Sequence, residues 1–153
     1  MKKNLVLLLA GFVIAVFSLG CAKEQVVSDD KVVAAPAAAP DINYLKAVNF
    51  DFGKDAISTK DAAILKENAG FLNQYPTVNI VIEGHCDSRG TEAANLALGQ
   101  RRAERVKNYY INQLKIDSKR ITTVSYGKDR PVDTAENESA WAKNRRAETK
   151  VVK

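Results

Sequence analysis

The stretch Glu83-Gly84-His85-Cys86-Asp87-Ser88-Arg89-Gly90 sets the chain's single histidine beside one of its two cysteines and an aspartate. Those residue types suit nucleophilic catalysis or metal binding, but their arrangement argues against both. Neighbours at a strand end point to opposite sides, so His85 is badly placed to activate the Cys86 thiol. A thiol nucleophile would then need a base from elsewhere in the chain, and there is no second histidine. One His, one unmodified Cys and nearby carboxylates also lack the paired spacing of a structural zinc site. The expectation is no catalytic residue, no metal and no cofactor. His85 is expected to tie backbone or carboxylate groups through its ring nitrogens, and Cys86 to pack as a small side chain.

Asp87 reads differently because of Arg102, which follows in Leu98-Gly99-Gln100-Arg101-Arg102-Ala103-Glu104-Arg105-Val106. A loop packed at the start of a helix brings the two near each other, an anion and a cation at one opening. Such a pair would hold a zwitterionic ligand at both ends, with the guanidinium fork gripping a carboxylate. The same spacing is equally met by a structural salt bridge between Asp87 and Arg102, or by Asp87 satisfying amides of its own loop.

The elements that must position these residues follow from periodicity. Ala47 to Phe52 alternates Val48, Phe50 and Phe52 with polar residues and predicts a strand. Ser58 or Thr59 caps a helix to about Gln74, with Ala62, Leu65, Ala69 and Leu72 at helical spacing, stopped by Tyr75-Pro76. Val78 to Glu83 is a second, well-buried strand. The longest helix is expected from about Ala93 to Leu114, with Leu96, Gly99, Ala103, Val106, Tyr110 and Leu114 as its apolar stripe. Ile121 to Tyr126 is the third strand and Arg146 to Val152 the fourth, separated by a loop with room for one helical turn at 138–142. The order β-α-β-α-β-β predicts a single α+β domain over 44–153, two helices packed on one face of a four-stranded mixed sheet.

The start of the chain has a different character. Met1-Lys2-Lys3 precedes an apolar run from Leu5 to Leu19. That run is short against the roughly 20 residues that span a bilayer, and it reads as a signal peptide over 1–20. Ser18-Leu19-Gly20-Cys21 resembles the lipobox of bacterial lipoproteins, although Ser stands where Leu is usual. That resemblance makes Cys21 the lipidated new N-terminus, leaving Cys86 without a disulfide partner. Several acyl chains, at about 0.8 kcal/mol per buried methylene, give stable anchoring where one alone is marginal. Residues 21–43, centred on Ala34-Ala35-Pro36-Ala37-Ala38-Ala39-Pro40, carry no amphipathic period and are expected to be a disordered tether. Without Lys2 and Lys3 the chain keeps 21 basic against 18 acidic side chains. That mild excess calls for no nucleic-acid partner.

The Gly84-His85-x-Asp87 loop followed by Leu98-x-x-x-Arg102-Ala103-x-x-Val106 resembles the signature of the OmpA-like peptidoglycan-binding domain family. Val48-Asn49-Phe50-Asp51-Phe52, Arg89-Gly90-Thr91, Val124-Ser125-Tyr126-Gly127 and Ala142-Lys143-Asn144-Arg145-Arg146-Ala147 extend the resemblance over about 46–152. Cys86 stands where Thr or Ala is more usual, and Gly99 where Ser is common.

The resemblance implies that Asp87 binds the amine, and Arg102 the carboxylate, of meso-diaminopimelate in the wall's stem peptide. It also implies that Phe50, Asp51, Leu98, Asn144 and Arg146 support the pocket wall. It implies a non-enzymatic outer-membrane lipoprotein, its domain in the periplasm. Its partners would be peptidoglycan, the outer membrane through the lipid, and a TolB-like periplasmic protein serving envelope integrity and division. The competing classes are a wall-anchoring subunit of a larger envelope complex and a peptidoglycan-modifying enzyme.

Overall fold

A computed structural model describes residues 45–152; the expected signal peptide, Cys21 and the whole tether lie outside them. In chain order the elements are β1 (Val48–Asn49), α1 (Thr59–Gln74), β2 (Ile80–His85), α2 (Glu92–Asn112), β3 (Ile121–Gly127), α3 (Glu138–Asn144) and β4 (Arg146–Val151). The strands form one mixed sheet in the order β1-β4-β2-β3, with β2 parallel to β3 and antiparallel to β4.

Alternation along β2 and β4 gives the sheet two chemically different faces. Ile82 pairs with Thr149 and Gly84 with Ala147, and this face meets the helices. Leu65, Ala69, Phe71 and Leu72 of α1 join Ala103, Val106 and Tyr110 of α2 and the strand residues Val48, Ile80, Ile82, Ile121 and Ala147 in one buried cluster. Polar groups cross that core only as satisfied partners. The buried Tyr110 hydroxyl lies 3.2 Å from both Asn68 Nδ2 and Thr149 Oγ1, and Asn68 also bonds the Lys46 backbone on both sides.

The helix ends follow local chemistry. Ser58 and Thr91 accept from the backbone N–H of Asp61 and Ala94, capping α1 and α2. Arg120, just ahead of β3, donates to the carbonyls of Leu72, Tyr75 and Val78, bracing the C-terminal end of α1.

α2 lies unusually close to β2. A Cβ on Gly84 would fall 1.9 Å from the Gly99 carbonyl oxygen, so only glycine lets these backbones meet. Gly99 is matched from the other side, because its own Cβ would fall 2.3 Å from Ser125 Oγ, which bonds the Leu96 carbonyl.

Four expectations need correction. The first strand is two residues long, not six: Phe50 still donates to Arg145 O, but the chain then turns, with Lys54 N–H bonding Asp51 O and Gly53 at φ +67°. The second strand starts and ends two residues later than expected, carrying His85 inside the sheet. The expected single turn at 138–142 is a full helix, α3, capped by Asn137. Leu96 is exposed and Leu114 only half-buried, so the ends of the α2 stripe lie outside the core.

Candidate functional site

The site lies where β2 ends, its loop turns, and α2 begins. Asp87 leaves the strand end, and Gly90 at φ +88° turns the chain toward the Thr91 cap. Asn95 holds that turn, donating to the Arg89 and Thr91 carbonyls at 2.8 and 3.1 Å, and the Cys86 thiol contacts Asn95 O at 3.3 Å. A cavity of about 260 Å³ opens here, lined by Asp87, Arg102 and Leu98 together with Arg89, Arg101 and Arg145. One aspartate among four arginines suits a ligand that is mainly anionic with one cationic group.

Asp87 is almost fully buried and its carboxylate is occupied. Arg89 donates from its side chain at 2.6 Å and from its backbone at 3.3 Å, and Arg145 approaches to 3.4 Å. Burial pushes this carboxyl up, but the hydrogen bonds and charge of Arg89, with help from Arg145, outweigh it. Asp87 is held below the usual carboxylate range. The Arg89 guanidinium is in turn sandwiched, 4.1 Å from the ring centroids of both Phe52 and Trp141.

Arg102 shares the cavity with Asp87 without a direct bond to it, so the simple Asp87–Arg102 salt bridge does not form. Its side chain is fully buried: Nε donates to Lys54 O at 2.9 Å, one terminal nitrogen to His85 O at 2.8 Å, and the other to Asp51 O at 3.1 Å. A weaker contact reaches Cys86 Sγ at 3.5 Å. Four of the five guanidinium N–H donors are thus engaged, and Arg102 meets the cavity as a fixed charge rather than the free fork expected. Burial lowers its pKa and raises that of the adjacent Cys86.

The other expected residues divide. Phe50 packs beneath Arg102, 5.0 Å from guanidinium carbon to ring centroid, and Asp51 supplies the carbonyl; both line a neighbouring groove that shares Arg145. Asn144 accepts from the Val132 and Asp133 amides and donates to Asp133 O, shaping the loop before α3. Arg146 points away from the cavity, bonding Glu148 and Arg130 O.

Its neighbour Arg145, part of the stretch from Ala142 to Ala147 that carries the family resemblance, is the one that reaches Asp87, besides bonding Phe50 O and Glu138. The parity argument applied to His85 and Cys86 would have found it, since Ala147 and Thr149 face the helices and Arg146 must face away. His85 also differs from expectation: neither ring nitrogen has a hydrogen-bond partner among the described residues.

The OmpA family model matches residues 49–145 of this chain. A peptidoglycan-associated lipoprotein of Mesorhizobium japonicum is 41% identical over 118 residues, covering 76% of this chain and 70% of that protein. One from Pasteurella multocida is 37% identical over 146 residues, covering 95% and 96%. The crystal structure of the peptidoglycan-associated lipoprotein from Burkholderia pseudomallei superposes with a TM-score of 0.65 at 38% identity, covering 69% of this chain and 89% of that one. The C-terminal domain of Helicobacter pylori MotB, at 23% identity and a TM-score of 0.65 over 71% and 84%, shares the fold.

Proposed function

The chain belongs to the OmpA family, and on that premise we propose that it is an outer-membrane lipoprotein, anchored through Cys21, whose domain grips peptidoglycan from the periplasm. The family is non-enzymatic, and the reading takes the cavity as the place where a ligand is held. No helix among the described residues is long and apolar enough to cross a membrane.

The observation that carries the reading is the cavity shared by Asp87 and Arg102. A diaminopimelate side chain offers one ammonium and one carboxylate. The ammonium goes to Asp87, displacing the Arg89 guanidinium, and the carboxylate goes to the positive wall formed by Arg102 and its arginine neighbours. Leu98 packs against the aliphatic spacer. Names carried by the relatives support peptidoglycan as the ligand; a TolB-like partner and a role in envelope constriction extend the proposal by family resemblance.

The test is co-sedimentation of the purified chain with peptidoglycan, comparing wild type, Asp87→Asn and Arg102→Lys. Loss of one member of a buried charged contact costs about 2 to 5 kcal/mol, so Asp87→Asn should reduce binding at least tenfold while circular dichroism stays unchanged. Failure of folded wild type to sediment with peptidoglycan, or full binding by both variants, overturns the proposal.

A further inference from the structure

On the sheet face away from the two helices, Glu83 of β2 stands directly opposite Glu148 of β4. His85, two residues on, projects from the same side of β2. One ligating atom from each of the three lies within 4.8 Å of the others. Like charges paired across antiparallel strands repel, and a cation already sits between these two. Lys150 Nζ is 2.7 Å from Glu83 Oε2 and 2.9 Å from Glu148 Oε2, while Arg146 holds the other Glu148 oxygen at 2.5 Å.

His85 has no such settlement. It is 1% exposed and stacked on Tyr126, with both ring nitrogens unbonded; Nε2 lies 3.6 Å from Glu83 Oε2. Buried polar atoms in folded proteins almost always have a partner. Burial, reinforced by the Arg146 charge, lowers the His85 pKa to about 4, so at neutral pH the ring is uncharged and offers a lone pair. A neutral imidazole beside two ionised carboxylates is a donor set for a transition-metal dication.

We propose that Glu83, His85 and Glu148 bind one divalent transition-metal ion, with zinc chemistry fitting best, in place of the Lys150 ammonium. Zinc takes such ligands at about 2.0 to 2.2 Å, which sets neighbouring donors roughly 3.4 Å apart, so carboxylate rotation has about an ångström to close. The Lys150 side chain is half exposed and its flexible stem lets the ammonium swing into water. Water fills the fourth position, and the ion staples β2 to β4 two residues before Asp87. Spacing along the chain could not reveal this set, because Glu148 joins it only through strand register.

The test uses the full chain, stripped with chelator and titrated with zinc against a chromophoric competitor. Wild type should bind one equivalent, Lys150→Ala should bind about tenfold more tightly, and Glu148→Gln at least about tenfold more weakly. Cys86→Ser should bind like wild type, and the cobalt-loaded chain should show no thiolate-to-metal absorption. Both substituted positions 148 and 150 keep solvent contact, and circular dichroism checks that the variants fold. Absence of a bound equivalent in both wild type and Lys150→Ala overturns the proposal, as does wild-type affinity in Glu148→Gln or a thiolate band with cobalt.

Discussion

The Arg89 guanidinium donates to the Asp87 carboxylate at 2.6 Å, so the carboxylate proposed to receive a ligand's ammonium is met by a cation of its own loop. The aromatic sandwich of Phe52 and Trp141 keeps that cation in place.

Removing the guanidinium with Arg89→Ala takes away the main influence holding the Asp87 pKa down and leaves burial, which acts upward. The Asp87 pKa should therefore rise, as read from its carboxyl carbon resonance in a pH titration. A depressed carboxylate pKa contributes stability that is present above the unfolded value and lost as pH falls through the folded one. The variant should begin to lose that contribution at higher pH than wild type. An unchanged Asp87 titration would refute this account.

The buried His85 carries the opposite pH signature to a salt-bridged histidine. Its pKa is lowered from 6.5 to about 4, so the unfolded chain binds a proton that the folded chain refuses. Stability should be complete above about pH 6.5 and fall as pH drops toward 4, by on the order of 3 kcal/mol. Glu83, Glu148, Arg146 and Lys150 place charges beside the ring, so the measurement is a difference. Urea unfolding of the metal-free chain, compared with His85→Gln, should show the wild-type slope between pH 4 and 6.5 flattened in the variant.

Arg102 is a structural strut as well as a cavity wall. Arg102→Ala removes the bonds to Asp51, Lys54 and His85 carbonyls and leaves a cavity, and should cost about 2 to 4 kcal/mol in urea unfolding. Arg102→Lys keeps the charge but cannot reach three carbonyls, and should fall between. Asp87→Asn, by contrast, should change stability less than it changes peptidoglycan binding.

The contact of α2 with β2 predicts a sharp asymmetry between two glycines. A methyl at Gly84 meets the Gly99 backbone, which cannot move without shifting the helix, and Gly84→Ala should cost at least about 3 kcal/mol or prevent folding. A methyl at Gly99 meets chiefly the Ser125 hydroxyl, so Gly99→Ala should cost about 1 to 3 kcal/mol, and Ser125→Ala should recover part of it. Thermal melts of the three variants and the double variant decide it.

Both long helices could be read from local signals, the first from its Ser58 cap and its stop at Tyr75-Pro76 and both from their apolar stripes. The first strand was over-read because Val48, Phe50 and Phe52 satisfy a period of two, while the turn at Asp51–Lys54 is set by Gly53 and by Arg102 gripping two of its carbonyls from a distant helix. The meeting of Asp87 and Arg102 at one cavity was legible because loop and helix adjoin in sequence, while Leu98 entered only through the family resemblance. Glu148 was not legible, since it reaches its partners only through the antiparallel pairing of β4, and the reach of Arg145 to Asp87 follows from strand parity rather than from residue type. The committed donors of Arg102 were equally hidden, as backbone carbonyls leave no trace in residue types.

The shortness of β1 bears on how the domain would respond to tension. The segment just after Leu45 is secured by two residues of ladder against β4, the Asn68 clamp and Glu67 ion pair on Lys46, and bonds from Asn49 to Asp61 and Ala142. Asp51 and Lys54, which hold Arg102 in place, follow within a few residues. A pull from the N-terminal side would peel this edge bond by bond rather than shear the sheet as a block, and would reach the cavity wall early. Strain on the leash and grip on the ligand would then be mechanically coupled through one arginine.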